Sequence, residues 1–218
     1  MNKRVFLIHG WDANPNNHWF PWLSLELKAR GFEVNAPQMP NTANPKVNEW
    51  LGFLSDYVGK PGKETYFVGH SLGCIAIARY LAKLPGNTNY ETDAKVRNTP
   101  SAFGISPSKE GEKKREETKV GGCVFVAGFS GRIDVPEISE FYSLPFDAEK
   151  AKAHCNKFVM IFSDNDPYVP MEKSLEFAQQ LGAKTILERG KKHFSEGITS
   201  LPSALSALLK FSSLNAKR

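Results

Sequence analysis

The chain has 218 residues, 41% of them hydrophobic and 23% charged, with a formal net charge of +5 at pH 7. That length suits one domain, residues 1–218, with a sizeable core, and the composition excludes a disordered, collagenous or coiled-coil protein. The positive balance raises nucleic acid as a partner, but the densest basic cluster, Lys109 to Lys119, alternates with Glu110, Glu112, Glu116 and Glu117 and reads as a solvated loop; no nucleic-acid binding is expected.

Three cysteines, Cys74, Cys123 and Cys155, form no Cys-x-x-Cys pair and sit in apolar stretches, so they read as reduced core thiols in a reducing compartment. Only Val5 to Ile8 are apolar between Arg4 and His9, too short for a signal-peptide core, and no later run could span a bilayer. A cytoplasmic protein with no membrane contact is expected.

In chain order, Arg4 to Ile8 reads as a buried strand ending in His9-Gly10-Trp11. Trp19, Leu23 and Leu27 then mark a helix that closes on Lys28, Arg30 and Gly31. Phe32 to Ala36 is a second strand. Pro37, Pro40 and Pro45 make the next stretch a loop, and Trp50, Leu51, Leu54 and Val58 form a second helical stripe. Tyr66 to Val68 is a third strand, and the apolar run from Leu72 to Leu84 a third helix. Residues 85–119 are polar, rich in Asn, Thr, Ser, Pro and Gly, and read as an insertion; a surface loop without a role is favoured over a lid, because Tyr90, Val96, Phe103 and Ile105 could cover little of a site. Cys123 to Ala127, Phe158 to Phe162 and Thr185 to Leu187 complete six strands. Strands alternating with helices imply a mostly parallel sheet with helices on both faces, and ligands then sit beyond the carboxyl ends of the strands.

Between the third strand and the third helix lies Gly69-His70-Ser71-Leu72-Gly73, a Gly-x-Ser-x-Gly in the strand–turn–helix context of a nucleophile elbow. The two glycines remove Cβ atoms that would collide with the adjoining strand and helix, leaving the Ser71 hydroxyl free at a helix N-terminus, where developing negative charge is favoured. Alone, the pattern also fits a Gly-Ser helix cap. A serine nucleophile needs a base, and a carboxylate to hold that base in the right tautomer.

Of five histidines, His70 points wrongly for a base, His154 lies in a helical stretch, and His9 and His18 precede Ser71, whereas this elbow is followed by an acid and then a histidine. His193, just past the last strand, remains. The loop after the preceding strand, Ser163-Asp164-Asn165-Asp166-Pro167, offers two carboxylates, of which only one can hold His193; Asp166 is chosen and Asp164 left as a turn residue.

These residues, with His18-Trp19-Phe20-Pro21-Trp22-Leu23, Met39-Pro40-Asn41, Val126-Ala127-Gly128-Phe129, Asp166-Pro167 with Val169-Pro170, and His193-Phe194, resemble the α/β-hydrolase superfamily in order and spacing. Within it they are similar to the small serine hydrolases that include the retinoblastoma-binding serine hydrolase and the YdeN-type proteins. The resemblance covers the chain except residues 85–119. It implies a single-domain minimal α/β-hydrolase fold without a large cap domain, and matches Ser71, Asp166 and His193 to its triad. Leu72-Gly73-Cys74 is followed by Ile75 and Ala76, so no Leu-x-Cys-x-Glu motif is present and retinoblastoma-type binding is not implied.

The expected chemistry is two-step acyl transfer on a small ester, with the backbone amides of Trp11 and Leu72 as oxyanion hole and no metal or cofactor; Trp11, Trp19 and Phe129 either line the acyl pocket or pack in the core. A serine aminopeptidase or amidase acting on a short peptide, and a non-catalytic protein-binding module on the same fold, are the alternatives. A monomer or small homo-oligomer is expected.

Overall fold

In the computed structural model, which describes residues 3–85 and 118–216, all six strands form one parallel sheet in the order β2-β1-β3-β4-β5-β6. The strands are β1 (Arg4–Ile8), β2 (Glu33–Asn35), β3 (Thr65–His70), β4 (Gly122–Val126), β5 (Phe158–Phe162) and β6 (Lys184–Leu187). The inner four read as unbroken apolar runs because both their faces are covered. The edge strands β2 and β6 are shorter and largely exposed or half-buried.

Successive residues of each inner strand enter opposite cores. Phe6, Ile8, Phe67, Cys123, Phe125, Phe158, Met160 and Phe162 face one side, packed against α2 (Val47–Val58), α3 (Leu72–Lys83), α5 (Ala148–His154) and α6 (Met171–Leu181). Val5, Leu7, Tyr66, Val68, Val124, Val126, Val159 and Ile161 face the other, under α1 (Phe20–Lys28) and α7 (Pro202–Ala216). Helices on both faces of a parallel sheet are thus realised, as expected. Cys74, Cys123 and Cys155 are free and buried.

Local chemistry sets the helix ends. α1 begins with a proline in its first turn, where no intrahelical donor is lost, and α6 stops at Gly182, whose φ of 63° makes the left-handed C-terminal turn. α2 buries Val47, Trp50, Leu51, Leu54 and Val58 on one stripe. α3 buries every residue from Leu72 to Leu81 and so lies at the centre of the molecule.

A 3₁₀ turn (Pro136–Ile138) and the short helix α4 (Ser139–Ser143) were not separated in the sequence, whereas α5 is the helical stretch expected around His154. The end of α4 is held by buried Arg79 of α3, whose guanidinium donates to the carbonyl oxygens of Phe141, Leu144 and Pro145. Residues 86–117, which carry nearly all of the polar stretch and its Tyr90, Phe103 and Ile105, lie outside the described residues.

The strand order reverses between β1 and β3. Their carboxyl ends, His9-Gly10 and Ser71, therefore flank the crevice where such sheets bind ligands.

Candidate active site

Ser71 occupies the turn between β3 and α3 with φ 52° and ψ −120°, a conformation that costs a non-glycine residue energy and persists only when its surroundings enforce it. Two contacts do so: its amide donates to the Val126 carbonyl (2.8 Å), and its own carbonyl accepts from the Cys74 amide (3.0 Å). The flanking glycines are needed sterically. A Cβ on Gly69 would stand 2.9 Å from the Cys74 Cα, and one on Gly73 would overlap the Ile8 carbonyl oxygen and approach that of His9 at 2.8 Å. Gly10 lies on the other side, its virtual Cβ 3.0 Å from the Ser71 Cβ.

His193 follows β6 on a short loop. Its Nδ1–H donates to Asp166 Oδ2 at 2.7 Å, which fixes the proton on Nδ1 and leaves Nε2 as the acceptor. The Asp166 side chain is 2% exposed and that of His193 12%. Asp166 Oδ1 accepts from the amides of Tyr168 and Val169, both at 2.9 Å. Tyr168 packs edge-on against the His193 ring.

The loop after β5 does more than supply the acid. Asp164 accepts from the Gly190 amide (2.8 Å), Ser163 from Lys191 (2.9 Å) and Asn165 from Lys192 (2.8 Å), so Ser163-Asp164-Asn165-Asp166 together bind residues 190–193. Asp164, read as a turn residue, is one of these anchors and also faces Arg189 at 3.5 Å.

Ser71 and His193 border one cleft of about 390 Å³. Gly10, Trp11, Asp12 and His18 line one part of it, and Ile133, Val135, Ile138, Tyr168 and Val169 form an apolar wall. Trp11 is therefore at the site, its indole donating to the Ala43 carbonyl. Leu72 is the first residue of α3, where the helix leaves the amide without an intrahelical acceptor.

Trp19 and Phe129 do not line the cleft. Both have no exposed surface: Trp19 packs beneath the sheet with its indole N–H on the Phe194 carbonyl (3.1 Å), and Phe129 belongs to the opposite core. The apolar wall comes instead from Ile133, Val135 and Ile138, spread over a loop and the 3₁₀ turn, with no helical or strand period.

The remaining histidines are structural neighbours. His9 donates from Nδ1 to the Gly10 carbonyl and accepts the Met39 amide on Nε2, so both nitrogens are committed in the neutral ring; burial lowers its pKa. Burial also drives His70 well below the usual histidine range, with the charge of His193 adding to the effect. His18 is lowered by burial and then by His193. Among the described residues, no group of three His, Cys, Asp or Glu is arranged to hold a metal ion.

A six-stranded parallel sheet with a serine on the strained turn after its third strand and an acid–histidine pair on the loops after its last two is an α/β hydrolase. The match to the serine hydrolase family spans residues 5–96 and 102–210, and the chain belongs to that family. It is 32% identical over 214 residues to the YdeN protein of Bacillus subtilis (strain 168), covering 97% of each chain, and the crystal structure of that gene product superimposes with a TM-score of 0.77 over 97% of this chain and all of the other. The rat (Rattus norvegicus) serine hydrolase RBBP9 is 24% identical over 179 residues, 81% of this chain and 77% of its own. Est1E from Butyrivibrio proteoclasticus shares the fold, with a TM-score of 0.65 at 13% identity, over 97% of this chain and 89% of its own. The protein is thus a member of the serine hydrolases. No helix among the described residues is long and apolar enough to cross a membrane.

Proposed function

We propose that the protein cleaves small esters through an acyl-enzyme on Ser71. The observation that carries this reading is the 2.7 Å contact between His193 Nδ1 and Asp166, which leaves Nε2 unprotonated at the cleft that Ser71 also borders. His193 takes the proton of Ser71 as the hydroxyl attacks the carbonyl carbon, and Asp166 stabilises the imidazolium. The tetrahedral oxyanion is held by the amides of Leu72 and Trp11. The imidazolium then protonates the leaving alcohol, and a water activated by the same ring releases the acid. The apolar side chains Ile133, Val135, Ile138 and Val169 receive the acyl chain.

A second reading, hydrolysis of a short amide or peptide with a free amine, is favoured by one feature, the carboxylate of Asp12 on the cleft lining beside Trp11. The two separate in a panel of p-nitrophenyl esters against aminoacyl amides, and only the second loses activity in Asp12→Asn. The shared chemistry is tested with a fluorophosphonate probe. Wild type is expected to label and Ser71→Ala to neither label nor turn over while keeping its fold; a labelled alanine variant would refute both readings.

A further inference from the structure

His193 stands between Lys192 and Phe194, both at positive φ (48° and 53°), conformations that non-glycine residues hold only when fixed from outside. The amides before His193 are fixed by the acid loop. The carbonyls after the turn are fixed from the other side of the crevice: that of His193 meets His70 Nε2 at 2.8 Å, and that of Phe194 accepts the Trp19 indole N–H at 3.1 Å. A carbonyl can only accept, so His70 carries its proton on Nε2. Its ring is 4% exposed and enclosed by Trp19 (5.9 Å between centroids), His18 (5.9 Å) and His193 (5.0 Å).

His70 is also the residue before Ser71. One planar peptide therefore joins the side chain that holds the His193 backbone to the serine itself. This hydrogen bond links β3, the strand that leads into Ser71, directly to the His193 backbone.

We propose that His70 is a positioning residue: its Nε2–H fixes the His193 carbonyl and thereby sets the distance of the His193 ring from Ser71, with Trp19 as a second anchor on the next carbonyl. This rests on the assignment of His193 as the base of Ser71.

The test compares His70→Phe and His70→Gln. Phenylalanine keeps a ring among Trp19, His18 and His193 but has no donor; glutamine lacks the ring but carries an N–H at about the reach of Nε2. With soluble p-nitrophenyl acetate, His70→Phe is expected to lose about 10- to 100-fold in kcat with KM within about threefold, since a misplaced base affects the transition state and not substrate binding. His70→Gln should recover most of that loss. A role confined to packing reverses the order, leaving phenylalanine close to wild type and glutamine impaired, and that result overturns the proposal. Trp19→Phe gives an independent measurement that leaves His70 intact: a smaller fall in kcat at constant KM is expected, and an unchanged kcat counts against the clamp. Ser71→Ala and His193→Ala run alongside. If either stays fully active the hydrolase assignment itself fails, whereas inactivity of both beside a fully active His70→Phe defeats the positioning role alone.

Discussion

Asp166→Asn has an outcome set by two backbone amides. In the wild type, Oδ1 accepts from Tyr168 and Val169 while Oδ2 accepts from His193. Asparagine has one oxygen and one NH₂ to fill those places. Turning the NH₂ toward the amides would break two hydrogen bonds at about 1 kcal/mol each, a preference of roughly thirtyfold for keeping the oxygen there. The NH₂ then faces His193 Nδ1, which must give up its proton and accept. The imidazole is left protonated on Nε2, where it cannot take the serine proton, and the negative charge that would stabilise the imidazolium is gone. A loss of about 10⁴-fold in kcat is expected, the scale associated with a wrong tautomer. Stability should change little, because the backbone contacts survive. Initial rates on p-nitrophenyl acetate, with thermal melts as control, measure both. A kcat within tenfold of wild type, in a variant that melts normally, would refute the tautomer argument and the role of Asp166.

Asp164→Asn should cost less than tenfold, because an amide oxygen can still accept from Gly190; an effect larger than that of Asp166→Asn would mean that the acid is misassigned. Gly73→Ala forces a methyl into the Ile8 and His9 carbonyls and should destabilise the protein by about 3 kcal/mol or more, read from urea midpoints, while Gly62→Ala, whose Cβ meets nothing within 4 Å, should not. His9 and His70 have folded pKa values depressed below 6.5, so only the unfolded chain takes up protons as the pH falls below that value. Stability should therefore be complete above about pH 6.5 and decline below it, by up to about 1.4 kcal/mol per pH unit for each ring, until the folded-state values are passed. Urea titrations at several pH values would show this, and a flat profile from pH 7.5 to 5 would contradict it. In a p-nitrophenyl ester series, kcat/KM should rise by up to about fourfold per methylene while carbons are covered by Ile133, Val135 and Ile138, then level off; a climb continuing to long chains, or a jump on micelle formation, would reveal a longer apolar groove.

What could be read in the sequence follows from how locally each feature is determined. β1 and β5 are covered on both faces, so their residues alone delimit them, and Arg4–Ile8 and Phe158–Phe162 match the reading residue for residue. β3 runs on to His70, beyond the Val68 expected, because Gly69 and His70 lack strand propensity and are held extended by pairing with β1 and β4. Ala127 was read as strand, but its φ of 51° takes it out of β4. At the site, Ser71, Asp166 and His193 stand out because each sits in a loop of defined chemistry after a strand. The cleft wall does not, since Ile133, Val135 and Ile138 lie in a loop and a 3₁₀ turn whose path is set by tertiary packing and not by a local sequence period. For Trp19 and Phe129 the sequence leaves pocket and core open, because an aromatic side chain does not reveal which face of the sheet it enters, and the structure places both in the core.

The loop 190–193 hangs from β6, a four-residue strand at the sheet's open edge, with Phe162 opposite Leu187 as the last paired rung. Peeling that margin away would carry off His193 while the β1, β3 and β4 interior stayed folded. With His193 as the proposed base, activity would be tied to an edge strand, the kind of element that opens more readily than a sheet interior. On warming, turnover should disappear at a lower temperature than the bulk helical signal. Amide protons of Ile186 and Leu187 should exchange with deuterium well ahead of those of Val68 and Val124, making the enzyme's activity a gauge of edge fraying and not of global unfolding.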